Sequence, residues 1–86
     1  MPEICRFYGI IIQIYYGDHS PPHFHAVYGE HIAKIEIDSL RVMEGWIPNR
    51  AMNLVKEWAR LRERELREAF EQAATFRQPK RIAPLD

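Results

Sequence analysis

His23-Phe24-His25-Ala26-Val27-Tyr28-Gly29-Glu30-His31-Ile32-Ala33-Lys34-Ile35-Glu36-Ile37 decides the fold of this chain. Two β-prone runs flank Gly29-Glu30, a two-residue connection with glycine at its first position, and this pattern specifies a tight antiparallel hairpin. A two-residue turn fixes the register: Tyr28 opposes His31, Val27 opposes Ile32, His25 opposes Lys34 and His23 opposes Glu36. Side chains alternate between the two faces of a sheet. His23, His25, Lys34 and Glu36 therefore share one face, and Phe24, Ala26, Tyr28, Ala33, Ile35 and Ile37 share the other, an apolar surface suited to a core. His31 falls on the apolar face near the turn, where a rim position is expected.

Upstream, Ile4 to Tyr8 and Ile10 to Tyr16 read as strands parted at Gly9, the second so rich in Ile and Tyr that an extended chain is favoured over a helix. Gly17 to Pro22 makes a loop. Asp38-Ser39 turns the chain after the hairpin, and Leu40 to Glu44 supplies a short last strand. Downstream the period changes. Pro48 suits a first helical turn, and Ala51, Leu54, Val55, Trp58 and Leu61 recur at helical spacing before Leu66, Ala69, Phe70 and Ala73 resume it one position out of step. The slip through Arg62-Glu63-Arg64-Glu65 marks a kink, a break, or a distal segment that buries its stripe on another chain. The expected architecture is α+β: an antiparallel sheet of four or five strands packed under a long C-terminal helix. Residues 1–46 form the sheet, 47–76 the helix and 77–86 an irregular tail, all in one domain, 1–86.

The 86 residues carry 12 basic and 12 acidic side chains, so the formal charge cancels and nothing in the composition demands nucleic acid. Nine of the basic residues lie between Arg50 and Arg81, against five Glu, which reads as a solvated helix face or as a surface for RNA or an acidic partner. Cys5 is the only cysteine, which excludes an internal disulfide and a thiolate zinc cage, and its apolar context suits packing. No apolar run approaches membrane-spanning length and no signal peptide is evident, so a cytoplasmic protein with no membrane partner is expected.

Chemistry concentrates in Gly17-Asp18-His19-Ser20-Pro21-Pro22-His23-Phe24-His25, which holds three of the four histidines. His23 and His25 point the same way from one strand, and the loop can bring Asp18 or His19 to them; two imidazoles with a carboxylate suit zinc or another divalent transition metal. Lys34, opposite His25, opposes a cation there. The same face supports a second chemistry without metal. His23 held basic by Glu36, with His25 and Lys34 facing an anion, is an inventory for RNA cleavage, which Arg6, Gln13 and Tyr15 on neighbouring strands complete. A third reading needs no ligand: Asp18 bonds the turn backbone, the prolines enforce an extended entry, and the imidazoles stack on Phe24 or Tyr15.

Met1-Pro-x-Ile4, the block Asp18-His-Ser-Pro-Pro-His-Phe-His25, Tyr28-Gly-Glu30 and Gly45-Trp-Ile-Pro-Asn-Arg-Ala51 together resemble a bacterial family, the domain of unknown function numbered 4160. The resemblance runs from Met1 to about Trp58. It implies a small protein encoded beside a second small protein as a toxin–antitoxin-like pair, and it implies no activity, substrate or metal. An interaction component of such a module is therefore expected, with a nearby-encoded protein as partner and a homodimer through Leu66, Phe70 and Ala73 of the distal helix as a further expectation.

Overall fold

A computed structural model describes residues 2–86; Met1, which opens the Met-Pro-x-Ile stretch, lies outside them. The fold is α+β. Five antiparallel strands, β1 (Glu3–Phe7), β2 (Ile10–Gln13), β3 (His23–Tyr28), β4 (His31–Glu36) and β5 (Val42–Gly45), lie side by side in sequence order, followed by α1 (Asn49–Leu61) and α2 (Glu63–Ala74). The β3–β4 hairpin has the register its turn dictates: all six pairs, from Tyr28 with His31 to His23 with Glu36, are formed, and Gly29 takes the left-handed first turn position at φ 60°. Tyr8 and Gly9 form a second two-residue turn with both φ values positive, so β1 ends one residue before the sequence pattern placed it. β2 stops at Gln13 rather than Tyr16, because Ile14 leaves the β3 ladder to bond the Pro2 carbonyl.

The core lies between one face of this sheet and the helices. Ile10, Ile12, Phe24, Ala26, Ala33 and Ile35 are fully buried and meet Ala51, Val55, Trp58 and Ala59 of α1. Trp58 centres this layer, with Phe7 at 5.4 Å and Phe24 at 6.1 Å between ring centroids, and its Nε1–H donates to the Ala83 carbonyl at 2.8 Å. The irregular tail is thereby fastened down. Ile82 is buried and its N–H bonds the Ile4 carbonyl, while Arg81 reaches Glu3, so the tail covers the outer edge of β1 that an edge strand would otherwise expose. Cys5 is buried, and that burial pushes its thiol pKa up, as expected of a packing cysteine.

The long helix is two helices. At Arg62 the backbone turns to φ −119°, ψ 22°, ending α1 and opening α2, which is where the apolar stripe slips. Leu61, read as part of the α1 stripe, is consequently exposed, and Ala59 is buried instead. α2 buries Leu66, Ala69, Phe70 and Ala73 within the chain itself. The apolar residues expected to meet a second copy are therefore covered within the chain. Gly45 also has a specific duty: at φ 77° it brings β5 so close to β4 that a Cβ there would collide with the Ile32 carbonyl oxygen.

Candidate metal centre

Alternation along β3 puts His23 and His25 on the face opposite Phe24 and Ala26, yet His23 is not open to water. It is 2% exposed, roofed by Phe70 of α2 at 5.5 Å and by the loop that precedes β3. That loop is pinned from the far side. The Gly17 N–H donates to the Ala73 carbonyl at the end of α2, and at φ 68° a larger residue at Gly17 would be strained and would push the Phe76 ring aside. Pinning delivers Asp18 to the histidines.

The contacts there are short and directional. The Asp18 carboxylate accepts the His19 backbone N–H at 3.1 Å through Oδ1, and its Oδ2 lies 2.7 Å from His23 Nε2. On the other side of the ring, His23 Nδ1 lies 2.8 Å from the Pro21 carbonyl. A carbonyl and a carboxylate oxygen both only accept, so in the metal-free protein Nδ1–H donates to the Pro21 carbonyl and Nε2–H donates to Asp18. A metal would take Nε2 in place of that proton while Nδ1–H stays fixed by the backbone carbonyl, the second-partner arrangement that orients a metal-binding imidazole. His25 stacks flat on Tyr15, 4.0 Å between centroids and 8° between planes, and lies 5.4 Å from the His23 ring at 76° to it. The stacking on Tyr15 is the packing contact that a ligand-free sheet face would make. His25 Nδ1, however, is buried with no hydrogen-bond partner.

Asp18, His23 and His25 each offer one donor atom, and these lie within 4.8 Å of one another. Burial alone would push the Asp18 carboxyl up, but the His19 amide and the bond and charge of His23 outweigh it, leaving Asp18 below the usual carboxylate range. Burial and then the neighbouring His23 push His25 below the usual imidazole range. Both directions favour the protonation states that bind metal, a carboxylate and a neutral ring.

The other residues singled out from sequence are placed elsewhere. His19 is exposed and contributes its backbone N–H, not its ring, to Asp18. Lys34 stands opposite His25 as the register requires but contacts Glu44 at 3.6 Å, and Glu36, opposite His23, is engaged by Ser39 and by Arg41 at 3.9 Å. Gln13 pairs with His25 from the β2 side, whereas Arg6 bonds Glu3 at 2.8 Å. Phe70, Gly17 and the Pro21 carbonyl have roles that no residue pattern announces; only the apolar stripe of α2 hinted that Phe70 would cover something.

A family model described as a domain of unknown function, DUF4160, matches residues 9–71, a span that includes the whole cluster and its Phe70 roof. No curated protein matches the chain, and no solved structure does. No helix among the described residues is long and apolar enough to cross a membrane.

Proposed function

The chain belongs to the DUF4160 family, and from the geometry that the matched region carries we propose that it is a metal-binding protein, with Asp18, His23 and His25 as ligands for zinc or a similar divalent ion. The observation that carries this reading is the convergence of one donor atom each from Asp18, His23 and His25 to within 4.8 Å, in a cluster where His25 Nδ1 is buried without a hydrogen-bond partner. A buried polar nitrogen without a partner costs about 1–3 kcal/mol, and a cation would satisfy it. Tetrahedral zinc at about 2.0–2.2 Å from each donor holds its ligands roughly 3.3 Å apart. The 2.7 Å contact between Asp18 and His23 must therefore open by a little over half an ångström, a shift within reach of a loop side chain. Metal-free RNA cleavage is less well supported: His23 is enclosed with both nitrogens engaged, and Glu36, its intended orienting partner, is held by Ser39 and Arg41.

Calorimetric titration of chelator-treated protein with zinc tests the proposal. One equivalent should bind near neutral pH, and affinity should fall as pH drops below the imidazole range, since protons then compete for both rings. Asp18→Asn and His25→Ala should each weaken binding by about 100-fold or more, exceeding what loss of an outer partner costs. Wild-type protein that binds no zinc at neutral pH would remove the reading.

An interaction role in a two-protein module is the second reading. It is favoured by exposed apolar side chains gathered around β4 and β5: Ile32 is 48% and Trp46 58% exposed, and Trp46 also stacks edge-on against His31. Co-expression with the protein encoded beside this one should yield a complex that co-elutes on gel filtration, and Trp46→Glu should dissociate it. Separate elution of the two wild-type proteins would dismiss that role.

A further inference from the structure

We propose that the metal at Asp18, His23 and His25 keeps an open coordination position that takes a small oxyanion, a carboxylate or a phosphate, with Lys34 as the anion's second contact. The proposal rests on the metal-binding reading above and adds what the bound metal is for. Among the described residues the cluster has three donors, one short of the tetrahedral complement, which is the ligand count of zinc sites that exchange their remaining ligand rather than of closed structural ones. His19 is the obvious side chain to close the shell. Its ring is exposed, and its backbone N–H holds Asp18 by the oxygen that does not face His23.

Charge points the same way. A dication bound by one carboxylate and two neutral rings leaves one positive charge uncompensated, and Lys34 stands directly across the β3–β4 ladder from His25, on the same face. Side chains paired in this way approach within about 5.5 Å at Cβ. An ammonium fixed beside a metal cation is repulsive, unless an anion lies on both. Lys34 is free to serve such an anion, because its present partner Glu44 is held only at 3.6 Å and is 72% exposed, so that pairing is readily exchanged.

Cobalt(II), whose visible absorption reports its ligand shell, provides the probe. Protein loaded with one equivalent of cobalt is titrated with inorganic phosphate and, separately, with acetate. A saturable spectral change is expected with at least one of them, and the one that binds more tightly identifies the anion class. Lys34→Gln should weaken that anion about fivefold, the screened attraction of two unit charges in contact, without weakening cobalt. His19→Ala should leave cobalt affinity unchanged. Cobalt that binds but ignores both anions, or cobalt lost in His19→Ala, would overturn the open site, and an anion affinity indifferent to Lys34→Gln would overturn the part given to Lys34, each while leaving metal binding intact. Wild-type protein that binds no cobalt at all would overturn both.

Discussion

His23→Ala should be the most damaging substitution at the site, lowering the stability of the metal-free protein by about 3 kcal/mol and abolishing zinc binding. The ring fills space against Phe70 and joins the Pro21 carbonyl to the Asp18 carboxylate, so alanine leaves a void, an unpaired carbonyl and a carboxylate held only by the His19 amide. Asp18 is one-quarter exposed and regains some water, which keeps the cost below that of a fully enclosed charge. Against a total of about 5–15 kcal/mol for a small domain, the loss is large. Urea unfolding of chelated protein measures it. A change below about 1 kcal/mol would mean that the loop is not tied to the sheet through this ring.

Trp58→Ala should cost still more, about 3–5 kcal/mol, because it empties the centre of the core between Phe7 and Phe24. It also removes the donor that holds the Ala83 carbonyl, so the tail should loosen together with the core. Trp58→Phe separates the two effects: most of the packing survives, the hydrogen bond does not, and trypsin should gain access at Arg77, Lys80 and Arg81 with a stability loss of about 1 kcal/mol. Trp46→Ala, at an exposed position, should change global stability little. Equal losses for the two tryptophans would refute the placement of the core.

The parts of this molecule that local rules determine were legible in the sequence. Gly29-Glu30 admits one hairpin register, and that register alone assigns Phe24 and Ile35 to the core and His25 and Lys34 to the other face. The one-residue slip after Leu61 announced an irregularity, but which of its outcomes occurs depends on tertiary packing, and α2 covers its own chain. The burial of His23 was hidden for the same reason. Alternation turns it away from Trp58, and its cover comes from Phe70, 47 positions along the chain, and from a loop fixed by the Gly17–Ala73 bond. Prolines marked the tail as irregular without revealing that Ile82 docks on β1. Of the site itself, residue types and strand spacing put Asp18, His23 and His25 forward as ligands, whereas the unpartnered Nδ1 of His25 is a property of the packed structure alone.

X-ray absorption at the zinc edge, on protein carrying one equivalent of zinc near neutral pH, reads the ligands from the metal outward and decides whether Asp18, His23 and His25 hold it. A first shell of nitrogen and oxygen at about 2.0–2.2 Å is expected, with the multiple-scattering signature of two imidazoles and no sulfur. A shell of oxygen alone, or one containing a single imidazole, would contradict it.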